Sequence, residues 1–149
     1  MNRRKILVAG AAAAATQTVV AATGCKAEGG TTAAAHVGSG TEVSSFADAV
    51  GHCIEEGEIC LTHCLRRLSE GDKSLGACAV RVREMLAVCG STQTLALSQS
   101  SFLSAATALC VEVCDACRIE CDKHAHHHDE CRACADACRA VIAAAKSGA

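Results

Sequence analysis

Thirteen of the 149 residues are cysteine, about 9 % of the chain, near the level that marks a cysteine-based scaffold. Twelve of them are Cys53, Cys60, Cys64, Cys78, Cys89, Cys110, Cys114, Cys117, Cys121, Cys131, Cys134 and Cys138. Thiolates at such density have three chemistries open to them: soft metal ions, zinc or iron–sulfur centres, and disulfides. Choosing among these depends on the elements that carry the sulfurs.

The spacing predicts four helices, over about 45–70, 72–97, 102–123 and 129–146. Ser45 followed by Asp48 reads as the first helix start, Gly71-Asp72 as the first break, and Asp72 as the cap of the second helix. The second helix is expected to run through Gly90 to Leu97, ahead of Ser98-Gln99-Ser100-Ser101. At about 100° per residue, positions 110, 114, 117 and 121 share an arc of about 60°. Cys53, Cys60 and Cys64 share a face in the same way, as do Cys78 and Cys89 with Val82 and Met85 between them, and Cys131, Cys134 and Cys138. Short connections make sequential helices antiparallel. The expected fold is therefore all-α, an antiparallel four-helix bundle with a cysteine-lined core. Cys64, Cys78, Cys121 and Cys131 should lie near one end, then Cys60, Cys117 and Cys134, with Cys53, Cys89 and Cys110 towards the other.

Cysteine is also a small buried hydrophobe, yet twelve on the inward stripes are too many for ordinary core filling. Neighbours at i+3 and i+4 on one helix are poorly placed for disulfides, which leaves only cross-helix bridges. The 0, 3, 7 spacing at 114/117/121 and 131/134/138 suits zinc or iron–sulfur runs, but here the thiols continue along whole helices. Cu(I) fits best, because two sulfurs bind it without a tetrahedral cage. With each thiolate bridging two ions, capacity approaches roughly twelve. No Ser/His/Asp constellation or Gly-rich phosphate loop accompanies the cysteines, so the reading is a store and not an enzyme. A zinc or iron–sulfur protein and a disulfide-stabilised structural bundle are the alternatives.

The segments His52-Cys53, Gly57-Glu58-Ile59-Cys60-Leu61-Thr62-His63-Cys64, Gly76-Ala77-Cys78, Ala87-Val88-Cys89-Gly90, Cys114-Asp115-Ala116-Cys117-Arg118-Ile119-Glu120-Cys121 and Glu130-Cys131-Arg132-Ala133-Cys134 together resemble the bacterial copper storage protein family over roughly 46–140. The resemblance implies a bundle holding many Cu(I) ions on inward cysteines, a homotetramer, and exported and cytosolic branches. Exported members hold copper for copper-dependent enzymes and limit its toxicity. Against that pattern, Val141 and Ala145 stand where further cysteines of the last helix are usual, and Cys110 stands where an aliphatic residue is usual.

Auxiliary groups have two readings each. His124, His126, His127 and His128 lie at the expected connection between the third and fourth helices, either as solvated loop residues or as carriers of ions into the core. His52 and His63 flank core cysteines as structural groups or extra ligands. Met85 lies on the stripe as a gap-filler or a thioether ligand. His63, His126, His128 and Met85 are the auxiliary metal candidates. Gly57, on the stripe between Cys53 and Cys60, is expected to make room for sulfur or a close helix.

Asn2-Arg3-Arg4-Lys5 ahead of an Ala-rich run to Ala22 resembles a bacterial twin-arginine export signal, over residues 1–24. The run is short and interrupted by Thr16, Gln17 and Thr18, a poor bilayer span. Ala22-Thr23-Gly24-Cys25 resembles a lipoprotein cleavage box, which leaves acylation of Cys25 and simple cleavage after Ala22 both open. Residues 25–44 read as a flexible tether and 45–149 as the bundle domain. The expected location is the periplasm or cell envelope, with membrane attachment only through a lipid on Cys25. Removing Arg3, Arg4 and Lys5 leaves 11 basic residues against 16 acidic ones. With no Trp or Tyr, the mature domain lacks both the basic footprint and the stacking surfaces of nucleic-acid binding.

Overall fold

The computed structural model describes residues 40–147. The signal reading on 1–24, Cys25 and the tether as far as residue 39 lie outside the described residues. Four helices follow one another: α1 Gly40–Ser69, α2 Gly76–Leu97, α3 Leu103–Asp122 and α4 Asp129–Ser147. Each packs against its neighbours in sequence, and α4 closes against α1. The described residues form the expected all-α four-helix bundle.

Helix α1 begins at Gly40, five residues before the expected start at Ser45. The reason is packing. Val43 continues the apolar stripe of Phe46, Ala47 and Val50 one turn further back, and all four join the core. Ser45 is an interior residue whose Oγ donates to the Glu42 carbonyl at 2.8 Å. The signal for a cap was thus a serine bonding back along its own helix. Residues 40–44, read as tether, are helical.

Helix α1 ends at Ser69, just ahead of the expected break at Gly71-Asp72, where Gly71 takes a φ of +95°. The Gly71 amide donates to the Leu68 carbonyl at 3.1 Å and the Asp72 amide to the Arg67 carbonyl at 3.0 Å, a glycine-terminated pairing that satisfies the last carbonyls. Asp72 caps a short 3-10 turn, Lys73–Leu75, and not α2 directly; its carboxylate accepts from the Ser74 amide at 3.0 Å. That turn seats the buried Leu75 and runs straight into α2. Gly90 leaves α2 unbroken. Helix α2 closes with the same pairing as α1, the Ser100 amide reaching the Leu95 carbonyl, but with Gln99 at φ 51° in the glycine position.

Fully buried side chains along the axis are mostly small: the twelve cysteines, with Val50, Leu75, Val82, Met85 and Val141 as the larger fillers. Gly57 lets α1 approach α2. A Cβ there would stand 2.6 Å from the Met85 Cε and 2.9 Å from the Leu86 Cδ2, so the room is made for a close helix. At the outer edge Arg139 donates to both Asp122 oxygens at 2.7 Å, tying α4 to the end of α3. That carboxylate holds the Arg139 guanidinium above its ordinary range.

Candidate metal centre

All twelve bundle cysteines are free and buried. Their sulfurs fall into five groups, each with its atoms within 4.8 Å of one another: Cys60, Cys64, Cys78 and Cys131; Cys60, Cys121 and Cys134; Cys117, Cys134 and Cys138; Cys53, Cys114 and Cys138; Cys89, Cys110 and Cys114. Cys60, Cys134, Cys138 and Cys114 each belong to two groups. The groups therefore join into one continuous sulfur column containing every bundle cysteine. The expected order along the axis holds, but the layers interlock through shared members. Turns of 3.6 residues on four helices do not come into register, so each level borrows a sulfur from the next.

The shortest separations in the column cross between helices. Cys78 Sγ lies 3.4 Å from Cys121 Sγ, Cys89 3.5 Å from Cys110, and Cys53 3.7 Å from Cys138. These separations are far beyond a disulfide bond of about 2.05 Å. They leave sulfurs from facing helices able to converge on shared small ions, and the column fits several Cu(I) ions.

Protons are distributed unevenly over the column. Cys60, Cys114, Cys121 and Cys138 are held above the ordinary thiol range. The first cause is a neighbouring sulfur that favours the protonated form: Cys121 for Cys60, Cys110 for Cys114, Cys117 for Cys121 and Cys114 for Cys138. Burial, which disfavours a thiolate, adds to it. At Cys131 the Cys60 thiol pulls downward but Cys64, Cys78 and burial outweigh it. At Cys110 the pull of Cys114 is outweighed by Cys89 and burial, and the thiol is pushed up to about 12. Cys53, Cys78 and Cys134 are lowered, because neighbouring sulfurs, led by Cys114, Cys121 and Cys117 respectively, favour the thiolate.

One end of the column is polar. His63, one residue before Cys64, is buried and meets His128 across the bundle, with Nε2 and Nδ1 sharing a 2.9 Å hydrogen bond. His63 Nδ1 also lies 3.0 Å from Glu130 Oε1. The same His63 Nδ1 lies 3.2 Å from the Arg66 guanidinium, so Glu130 and Arg66 both hold this edge of the ring while Nε2 faces His128. Burial, then the nearby His63 and Arg67, hold His128 below its ordinary value. Outside this pair lies an open depression lined by His63, Arg66, Arg67, Glu70, His127 and His128. The opposite end is closed by apolar side chains, including Phe46, Val50, Ala96 and Val141, all buried.

The auxiliary candidates separate accordingly. His63 and His128 come together at the polar end, and Met85 is fully buried against the column. His126 and His52 are exposed, and the five sulfur groups contain no histidine. No sequence pattern marks Glu130, which lies 3.0 Å from His63 Nδ1. Its place beside Cys131 was visible, but its meeting with His63 is a contact between α4 and α1 that no local spacing encodes.

Comparison with known proteins places this geometry in context. Residues 39–148 match the family model for Csp, copper storage protein. An uncharacterized cysteine-rich protein of Bacillus subtilis (strain 168), YhjQ, is 35% identical over 85 residues, 57% of this chain and 75% of its own length. The Cu(I)-bound copper storage protein BsCsp3 superposes with a TM-score of 0.66 at 30% identity, covering 72% of this chain and 98% of that one. A cytosolic copper storage protein from Streptomyces lividans, described in the course of copper loading with five coppers, gives a TM-score of 0.66 at 26% identity, over 72% of this chain and 92% of its own.

Proposed function

The chain belongs to the copper storage protein family, and we propose that it is a store whose twelve inward cysteines bind multiple Cu(I) ions as thiolates. One observation carries this reading. Five sulfur groups with shared members include every bundle cysteine, which is the arrangement of a reservoir and not of a single coordination site. Each ion takes two sulfurs, often from different helices, and neighbouring ions share thiolates. The polar end, with His63, His128 and Glu130, is the side on which ions enter; the apolar end is the closed side. The protein performs no catalysis in this reading, and it sequesters copper, limits its toxicity or supplies copper-dependent enzymes.

Anaerobic titration of the reduced protein with Cu(I) tests it. Saturation near one ion per cysteine is expected, and an end point at one or two ions would reduce the protein to an ordinary metal site. Iron or zinc in place of copper on elemental analysis would favour the alternative metal readings, and missing free thiols would favour a disulfide bundle.

Export belongs to the same proposal. Its support is Arg3-Arg4 ahead of the Ala-rich run and the Cys25 segment; no helix among the described residues is long and apolar enough to cross a membrane. Replacing Arg3 and Arg4 with lysine should trap the protein inside cells, and a periplasmic fraction unaffected by that change would reject the signal. Lipid on Cys25 is read directly by mass spectrometry. Assembly as a homotetramer is supported by Leu97 and Phe102, each 71% exposed, with Leu65, Val80 and Leu109 also on the surface. Sedimentation gives the answer.

A further inference from the structure

We propose that the thioether of Met85 is a further copper ligand, paired with Cys53, so that the column contains a mixed thiolate–thioether position. The inference rests on the storage reading above and adds to it a donor of a different kind. Cys53 Sγ donates to Met85 Sδ at 3.6 Å, within the 3.4–3.9 Å spread of the thiol pairs in the column. Met85 is wholly buried, so its sulfur faces the column and not solvent.

Location strengthens the case. Helix α2 carries only two cysteines, Cys78 and Cys89, against three on α1 and α4 and four on α3. Between Cys78 and Cys89 its buried positions include Val82 and Met85. Cys53 already faces Cys138 of α4 and groups with Cys114 of α3, and the sulfur it meets on α2 at 3.6 Å is that of Met85. Gly57 holds the slot open, since a Cβ there would stand 2.6 Å from the Met85 methyl. A glycine facing a flexible thioether leaves the Met85 end free to adjust when an ion inserts between the two sulfurs.

The chemistry is balanced and distinct from that of a thiol pair. Cu(I) bonds to Cys53 Sγ as a thiolate, and to a lone pair of Met85 Sδ, which has no proton to lose. No electron moves, and the S–Cu–S unit is neutral where a bis-thiolate unit carries a negative charge. A neutral unit suits a buried site better than a charged one.

Selenium gives a direct readout, because Met85 and Met1 are the two methionines of the chain. The full chain is labelled with selenomethionine, reduced and loaded anaerobically with Cu(I), and its selenium K-edge absorption fine structure is recorded. A selenium–copper path is expected, and it should vanish in Met85→Leu, which retains only the Met1 label. That variant should also hold about one ion fewer per chain against a competing chelator. A loaded protein with no selenium–copper path, or with an equal path in Met85→Leu, overturns the assignment. The wild-type spectrum needs no substitution, so a folding defect in the variant does not shield the proposal. The spectrum judges Met85 and the titration end point judges the store, and the two fail separately.

Discussion

Cys78 Sγ and Cys121 Sγ lie 3.4 Å apart across the α2–α3 interface, with Cys131 Sγ of α4 at 3.9 Å from Cys78. Three helices thus place sulfur around one point near the polar end, and Cys78 is the member that α2 supplies. Replacing Cys78 with alanine should lower the copper end point by about two ions, because its neighbours keep no sulfur on the α2 side. The empty fold should lose only about 1 kcal/mol, the scale of removing one buried small group. Chelator competition and urea unfolding measure the two effects.

Cys110 sits at the opposite end, grouped with Cys89 and Cys114. Val141, fully buried on the α4 stripe beyond Cys138, contributes no sulfur there. Cys110→Val should therefore remove about one ion per chain while leaving helicity unchanged. An unaltered end point in the Cu(I) titration would show that the column stops short of Cys110.

Loading exchanges protons for copper. Cys60, Cys114, Cys121, Cys131 and Cys138 are held above the ordinary thiol range and Cys110 is pushed up to about 12, so these sulfurs are protonated at neutral pH. Protons then compete with the metal, and affinity weakens as pH falls, by about tenfold per unit for each proton displaced. Proton release in a pH-stat, and chelator competition at about pH 7.5 and about pH 5.5, check the sign.

The empty protein has a separate pH response. His128 is held below its ordinary value of 6.5, chiefly by burial. The unfolded chain therefore binds the proton more readily, and the stability from this group is present above 6.5 and lost as pH falls through the folded-state value. The melting temperature of the metal-free protein should drop on acidification through this window, and His128→Gln should flatten the drop. An unchanged slope would exclude His128 as its source.

Two glycines give opposite outcomes on the same substitution. Gly90 is inside α2 with nothing within 4 Å of an added Cβ, so Gly90→Ala should stabilise by about 1 kcal/mol through helix propensity. Gly57→Ala meets Met85 and Leu86 at under 3.0 Å in a packed core. Overpacking of about 1–3 kcal/mol should cancel or outweigh the same propensity gain. Denaturant midpoints of the two metal-free variants decide.

Much of the bundle was legible because period and punctuation agreed. Cys110, Cys114, Cys117 and Cys121 share one face at helical spacing, and Gly71 ends α1 where the pattern stops. The start of α1 is not legible locally, because Ser45 offers a capping hydroxyl whereas the decision belongs to Val43, whose value comes only from the core it touches. Similarly, the sequence order of the sulfurs along the axis could be read from antiparallel packing, but their interlocking through Cys60, Cys114, Cys134 and Cys138 depends on helix stagger. The His63–Glu130 contact and the Cys53–Met85 contact are likewise tertiary, between residues 67 and 32 positions apart.

An ion held between facing sulfurs such as Cys53 and Cys138, 85 positions apart, or Cys60 and Cys131, 71 apart, would be a reversible cross-link between distant stretches of backbone. Filling should therefore tighten the molecule and emptying should loosen it, so that mechanical stiffness would track the amount of cargo on board.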